Sequence, residues 1–480
     1  MAAVRRTFGE YLSKWMADRR LTAMALARLT GEKSATSIAR LKADECTPSR
    51  CWAFLEQLKA AFPDLTEEDL RAFRMGIIVL SLGKEQYDAY VALNRIFLKN
   101  KAMDLEKTQL SDMLLQYAEA DVCHVICMQC TDCFVADALS LMCKHALGSL
   151  QIDHYVSFPM LTSAAEFLAH ALPAMCDSRY AMVELRYDDE KPRLGLTAQS
   201  FLYVQAIRGE DEEYALLIPC HDGTVLQLPC SRRAGFEACA RMIKELPCRH
   251  IPVNTTYRYD RPKDLIQFCA AMNENFKSNA TYIYSRDFHF SVIPVDILHS
   301  AFSRNATPPP ALANTVTELR SICYQSFVQL RESKRPIRLM MSRSGIRHFM
   351  ATGLLSDHFF ALHVFTPEER INVLENIIRI VRTNPNITIH FLREEAGLQT
   401  YDFTLAANTR LTITGAHAAR TGSPFHAIAE TYMDIRVEDH TMVAQVTKYF
   451  EEYLLAEHTC TNEESIAFLS EQIALARQAL

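Results

Sequence analysis

The chain has 480 residues, of which 49% are hydrophobic and 22% charged, with a formal net charge of −6. This composition is typical of a soluble globular protein and excludes fibrous and disordered classes, while the length requires more than one core. No stretch approaches the roughly 20 consecutive apolar residues that a membrane span needs. The first fifteen residues lack the apolar segment of a signal peptide, and fifteen dispersed cysteines fit a reducing compartment, so we expect a cytoplasmic protein.

Charge is distributed unevenly along the chain. Residues 1–50 contain ten Lys and Arg against five Asp and Glu, a net charge of +5, which leaves −11 for the remainder. Basic side chains displace condensed counterions from a phosphate backbone, so a basic head on an acidic body favours binding of a polyanion by the head. A basic, solvated helical face without a partner is the simpler alternative.

Apolar residues at helical spacing predict a small bundle within the first 75 residues. Thr22 is suited to cap the second helix, and Gly31 to end it with a left-handed backbone. A third short helix is predicted from Ser34 to Lys42, and Pro48 is predicted to lie in the loop that follows it. Two further helices follow, the last capped by Thr66. Two short helices joined by a glycine-containing turn suggest a helix-turn-helix arrangement.

The segment LTAMALARLTG followed by SIARL resembles the Cro/repressor-type (XRE-like) helix-turn-helix family of bacterial transcription regulators. The resemblance covers about residues 7–75. It implies that the third helix enters the major groove of double-stranded DNA and that two copies of the chain bind as a homodimer. The DNA-binding residues it implies are Lys33, Ser34, Thr36, Ser37 and Arg40 at the bases or nearby phosphates, with Thr22, Arg28 and Lys42 at the backbone.

This head also has an alternative interpretation. Ala23 stands where the family usually has glutamine, and the segment between Gly31 and Ile38 is one residue longer than usual. A bundle that keeps the fold without binding DNA would serve as a protein-contact module, and the chain would then be an adaptor.

Beyond the head, the sequence predicts a helical bridge followed by two α/β segments. Strand-like runs such as VCHVICM and YAMVELRY alternate with helices of ten or more residues, which indicates α/β packing around mainly parallel sheets. The prolines of Thr307–Asn314 indicate a linker. The predicted domains are 1–75, 76–118, 119–306 and 307–480.

The stretch CHVICMQCTDC raises a metal hypothesis. Cys123, Cys127 and Cys130 have the Cys-x3-Cys-x2-Cys spacing of radical S-adenosylmethionine enzymes, and Cys133 follows. However, Gln129 replaces the usual aromatic residue, and no glycine-rich segment follows. Core packing is therefore the favoured interpretation, and an iron–sulfur enzyme the less favoured one.

No other catalytic set is recognisable. Phosphate-binding glycine loops, the Gly-x-Ser-x-Gly elbow, His-x-Lys and His-Glu-x-x-His are absent from the sequence. MSRSG after a strand could hold an anion, although a polar strand-to-helix turn is commoner. TYRYDRP could stack bases, although an edge strand or loop is commoner.

The predicted fold class is multidomain α/β, with an N-terminal all-α helix-turn-helix bundle, a helical linker and two α/β lobes. We expect a DNA-binding transcription regulator that is not an enzyme and has no cofactor. The acidic body is expected to sense a small molecule or a protein effector.

Overall fold

The computed structural model describes most of the chain. The described residues are 6–82, 108–158, 164–187, 200–220, 224–228, 232–258, 278–285, 289–305, 310–355, 364–393, 402–417 and 431–479, with parts of 87–97 and 266–274. The chain divides into two compact units, Met1–Ala92 and Leu93–Leu480, each described below by itself.

The first unit is all-helical in its described part. Its helices are α1 (Phe8–Asp18), α2 (Ala23–Thr30), α3 (Ala35–Lys42), α4 (Pro48–Ala61) and α5 (Glu67–Leu82). The caps follow the sequence closely: the hydroxyl of Thr22 accepts a hydrogen bond from the Ala25 amide, and Gly31 ends α2 with φ of 76°. The sequence predicted Pro48 in the loop after the third helix, but it is the first residue of α4. At that position the missing N–H of proline costs no helical hydrogen bond.

One apolar core holds these five helices together. Its members are fully or almost fully buried and come from every helix: Phe8, Leu12, Trp15, Met16, Leu26, Ala27, Ile38, Leu41, Cys51, Phe54, Leu55, Leu58, Leu70, Phe73 and Ile77. Most of its aromatic ring pairs meet edge to face, as between Trp15 and Phe62 at a centroid distance of 5.1 Å. Both tryptophans of the chain, Trp15 and Trp52, lie in this unit, so tryptophan fluorescence reports on it selectively.

The second unit contains two seven-stranded mixed sheets. The first has the order β6-β5-β4-β1-β2-β3-β7, formed by β1 (Val122–Met128), β2 (Ser149–Val156), β3 (Tyr180–Arg186), β4 (Phe201–Arg208), β5 (Asp211–Pro219), β6 (Val225–Leu228) and β7 (Arg249–Pro252). The second has the order β11-β10-β9-β12-β13-β14-β8, formed by β8 (Asn254–Arg258), β9 (Thr281–Tyr284), β10 (Ile337–Ser342), β11 (Ile387–Leu392), β12 (Asp402–Ala406), β13 (Arg410–His417) and β14 (Thr431–Val437).

The two sheets repeat one topology. In each, three consecutive strands pair in parallel, β1-β2-β3 and β9-β10-β11. In each, the next three form an antiparallel meander on the other side of the first strand, β4-β5-β6 and β12-β13-β14. Only the seventh strand differs: β7 joins β3, and β8 joins β14.

Helices connect the strands and cover the sheets. They are α6 (Gln109–Ala118), α7 (Cys133–His145), α8 (Ala164–Met175), α9 (Arg233–Lys244), α10 (Val295–Asn305), α11 (Pro310–Arg331), α12 (Arg343–Thr352), α13 (Pro367–Thr383), α14 (His440–Tyr449), α15 (Leu455–His458) and α16 (Asn462–Ala479). A five-residue π-helix, Phe450–Leu454, joins α14 to α15.

The mixed α/β fold agrees with the predicted class, but several boundaries differ. The sheets are mixed rather than mainly parallel, because each continues from its parallel strands into a meander. The helix α5 runs past the predicted boundary at residue 75 to Leu82. The second sheet already begins with β8, well before the predicted lobe boundary at residue 307, and α11 begins at Pro310 inside the predicted linker.

Buried histidines in the second unit predict acid sensitivity. Desolvation lowers the pKa of His154 from 6.5 to about 3, and burial has the same effect on His289. Because the unfolded chain takes up these protons near pH 6.5 and the folded one does not, the stability they contribute is complete above pH 6.5 and falls as the pH drops toward about 3.

Urea unfolding followed by far-ultraviolet circular dichroism at pH 7 and pH 5 should show this loss. Carboxylates also contribute to acid unfolding, so a His154→Gln variant serves to isolate the imidazole. We expect its unfolding free energy to depend less steeply on pH than that of the wild type. An unchanged slope would contradict the assignment.

Candidate nucleic-acid interface

The helices α2 and α3 are joined by a short connection and pack together in the shared apolar core. Ser34 is the N-cap of α3, and its hydroxyl accepts a hydrogen bond from the Ser37 amide at 3.4 Å. Leu26 on α2 and Ile38 and Leu41 on α3 are buried in the shared core. Three residues, Glu32 to Ser34, separate the C-cap Gly31 from α3, so the connection is short and its direction is fixed by the left-handed glycine.

The C-terminal end of α3 is hydrogen-bonded to the start of α1 through Asp44. Asp44 follows α3 with a φ of 57°, and its carboxylate accepts hydrogen bonds from the Thr7 hydroxyl and from the Gly9 amide, the latter at 2.8 Å. A side chain at Gly9 would meet the backbone oxygen of Lys42. The position of α3 is therefore set by backbone packing as well as by its apolar face.

The residues proposed to bind DNA lie on the surface of this unit. Seven of the eight are exposed and Ser37 is half-buried; the exposed ones are Thr22, Arg28, Lys33, Ser34, Thr36, Arg40 and Lys42. Among the described residues, Arg40 has one weak ionic neighbour, Glu45 at 3.8 Å, and both side chains are well exposed. Thr22 and Ser34 also cap helices, so their hydroxyls have a structural role.

An ion pair links the segment that precedes α3 to the first turn of α4. The side chain of Glu32 is only 5% exposed and accepts a hydrogen bond from the guanidinium of Arg50, which is at the start of α4. A carboxylate this deeply placed depends on its partner, because unpairing a buried charge is far costlier than losing an exposed ion pair.

We therefore expect Arg50→Ala to destabilise the first unit by about 1–3 kcal/mol, because it leaves the Glu32 carboxylate buried and unpaired. The double variant Glu32→Gln/Arg50→Ala should recover part of this loss, since it removes the unpaired charge. Urea unfolding followed by tryptophan fluorescence measures both. A double variant less stable than Arg50→Ala would contradict the explanation.

Two apolar side chains on α2 are also exposed. Met24 is 57% and Leu29 54% exposed, although both lie in an otherwise amphipathic helix. Single exposed apolar residues are common on protein surfaces. Here they lie on the helix before α3, next to the basic candidates.

The four cysteines of CHVICMQCTDC are not brought together as one set of metal ligands. Cys123, Cys127 and Cys130 are buried, and desolvation raises the pKa of Cys123 to about 12 and that of Cys127 well above its ordinary value. The thiol of Cys130 donates to the backbone oxygens of Met128 and Phe201, each at 3.3 Å. These three thiols are thus placed as core side chains, and burial of Cys123 and Cys127 disfavours the thiolate form that a metal requires.

Cys133 lies elsewhere, at the start of α7. In the described part of the chain, one group of three or more His, Cys, Asp or Glu side chains comes within metal-binding range: Cys133, Glu166 and His170. Sequence reasoning missed Glu166 and His170. The signal available was their spacing of four on a predicted helix, which places both on one face.

Two further motifs have structural roles. In MSRSG, the Ser342 hydroxyl accepts a hydrogen bond from the Gly345 amide at 2.8 Å and caps α12, while the Arg343 guanidinium lies over the Phe468 ring. The first residues of TYRYDRP belong to the edge strand β8, and 259–262 lie outside the described residues.

Within the described residues, no helix combines the length and the apolar character required to cross a membrane.

No protein-family model and no curated protein matches the sequence. Among solved structures, phosphatidylserine synthase from Haemophilus influenzae Rd KW20 aligns over 82% of this chain and 99% of its own, with 10% identity and a TM-score of 0.26. Polyphosphate kinase from Porphyromonas gingivalis aligns over 78% of this chain and 55% of its own, with 11% identity and a TM-score of 0.22. Scores this low do not establish a shared fold.

Proposed function

We propose that the chain is a transcription regulator that binds double-stranded DNA through α3 of its first unit, with two copies acting together. The observation that carries the proposal is the set of basic side chains on and beside α3 that point to solvent: Arg28, Lys33, Arg40 and Lys42. The glycine that ends α2 and the serine that caps α3, with a short connection between the two helices, support the proposal.

The dimensions of α3 suit this role. It is an α-helix of eight residues, and an α-helix with its side chains is about 10–12 Å in diameter, which the major groove of B-DNA, about 12 Å wide, admits. In helix-turn-helix proteins the N-terminal residues of the second helix contact base edges. Ser34, Thr36 and Ser37 occupy that end of α3, and Arg40 and Lys42 lie near its other end.

The second unit is proposed to be the sensor. No catalytic set was recognised in its sequence, and its acidic composition argues against direct DNA contact. A ligand or partner that binds two states of this unit with different affinity would shift operator affinity by the same coupling free energy. An enzymatic role is not part of the proposal.

Selection of bound sequences from a random duplex pool by the full-length protein tests the proposal. We expect enrichment of a motif with two half-sites whose centres are about 10 base pairs apart, or a multiple of that spacing, because paired recognition helices enter successive major grooves. Recovery of unenriched sequences, with binding no tighter than to random duplex, would refute the regulator role.

The exposed Met24 and Leu29 favour a second candidate, an adaptor whose first unit contacts another protein. The two roles separate experimentally. A Met24→Ser/Leu29→Ser variant should retain selective DNA binding if α3 reads DNA. If the adaptor role is correct, DNA binding should be weak and nearly independent of salt in both proteins.

A further inference from the structure

A mixed cluster of potential metal ligands lies in the second unit, in its first α/β segment. The Sγ of Cys133, a carboxylate oxygen of Glu166 and a ring nitrogen of His170 all lie within 4.8 Å of one another, and all three residues are partly exposed. Thiolate, imidazole and carboxylate are the three ligand types that zinc sites use.

The fold explains why these residues meet. The strands β1, β2 and β3 are parallel neighbours in sequence order, and α7 and α8 are their two crossovers. Because such crossovers share one hand, both helices lie on the same face of the sheet, side by side. Cys133 is the first residue of α7, and Glu166 and His170 lie one turn apart on α8.

A fourth residue orients the histidine. Asp137 lies one turn beyond Cys133 on α7, its side chain is 3% exposed, and its Oδ1 is 2.8 Å from Nδ1 of His170. A carboxylate at this distance favours the tautomer with the proton on Nδ1, in which Nε2 is the nitrogen that can bind an ion. The carboxylate–histidine pair is the usual second layer of zinc-binding histidines.

We propose that Cys133, Glu166 and His170, with His170 positioned by Asp137, form a binding site for a divalent transition-metal ion of the zinc class. One thiolate, one imidazole and one carboxylate suit zinc rather than magnesium or calcium, which prefer oxygen ligands alone. Ligand atoms at about 2.0–2.3 Å from a tetrahedral ion lie about 3.3–3.8 Å apart, so ligand atoms separated by up to 4.8 Å here must draw closer by up to about 1–1.5 Å on binding. Three protein ligands leave a fourth tetrahedral position for water or an exogenous ligand.

Binding of a metal ion at this site releases one proton from Cys133. The thiol of Cys133 forms a bond from sulfur to the metal and loses its S–H proton to solvent, with no change of oxidation state. Affinity should therefore rise with pH. The site does not depend on DNA binding by the first unit, so the two proposals can fail separately.

The test uses Co²⁺ as a spectroscopic probe and Zn²⁺ as a competitor, on the full-length chain freed of metal by chelation. We expect one Co²⁺ per chain, a near-ultraviolet thiolate-to-cobalt absorption band, and loss of that band when Zn²⁺ is added. Cys133→Ser should abolish the band. The matched control Cys239→Ser, which changes a partly buried thiol on α9, should keep it.

Two further variants separate ligation from fold. Glu166→Gln should weaken Co²⁺ binding without removing the thiolate band at saturating metal. Asp137→Asn should lower affinity about 10- to 100-fold with the band retained, because it acts through His170 rather than on the ion. Absence of stoichiometric Co²⁺ and Zn²⁺ binding by the wild type, or a band that survives in Cys133→Ser, would overturn the proposal.

Discussion

Replacement of Arg40 by alanine is expected to weaken binding to a selected duplex about 10- to 100-fold per recognition helix and leave the fold intact. A base or phosphate contact of this kind contributes about 1–3 kcal/mol, and about 1.4 kcal/mol corresponds to a tenfold change. The cost in stability should stay within about 0.5 kcal/mol, since Arg40 is exposed and its only described ionic neighbour is the exposed Glu45.

Arg233→Ala is the matched control for this variant. Arg233 is also an exposed arginine paired with an exposed glutamate, Glu237, but lies on α9 of the second unit. It should bind DNA as the wild type does. Equal weakening of both variants would indicate a general charge effect, and no weakening by Arg40→Ala would remove Arg40 from the interface.

Gly9→Ala is expected to destabilise the first unit by about 2 kcal/mol, although alanine is normally the better helix former by about 1 kcal/mol. An added Cβ at Gly9 would lie 2.4 Å from the Lys42 backbone oxygen and 2.7 Å from that of Leu41. Backbone atoms cannot rotate away as a side chain does, so α1 and the end of α3 must separate.

Urea unfolding followed by tryptophan fluorescence measures this effect in the full-length chain, because both tryptophans lie in the first unit. Lys14→Ala, at an exposed position of the same helix, should be neutral or slightly stabilising. We also expect Gly9→Ala to weaken DNA binding, since it displaces α3. A Gly9→Ala protein as stable as the wild type would show that this contact is not tight.

Local signals predicted the first unit well. Thr22 and Thr66 were expected as caps, and each hydroxyl accepts a hydrogen bond from the backbone amide three residues on. Capping is decided within a few residues, so the sequence contains the necessary information. The clamp between Asp44 and the start of α1 was not predicted, because it joins residues more than thirty positions apart.

In the second unit, too, features decided by neighbouring residues were predicted, and features that depend on distant residues were not. Apolar runs predicted β1 to β6 and β10 to β13. The strands that were missed, β7, β9 and β14, are short or depend on partners distant in sequence: β9 has four residues and pairs with β10 and β12. The change from parallel to antiparallel pairing in each sheet follows from tertiary pairing and has no local signature.

For the candidate sites, sequence patterns were informative only where the residues are neighbours in the chain. The exposed positions around α3 follow from helical spacing. The cysteine run drew attention to four thiols, three of which are core side chains. The fourth, Cys133, meets Glu166 and His170 only because two crossover helices lie side by side.

The measurement that tests the central claim most directly is the affinity of the full-length protein for a selected duplex across a salt series. Each neutralised phosphate contributes a slope of about −0.9 in log K against log salt, so four basic residues per chain in a pair of chains predict a slope of about −7. We expect a steep linear fall, made shallower by about 2 in Arg40→Ala. Absence of binding at low salt, or an affinity independent of salt, would contradict DNA recognition by the first unit.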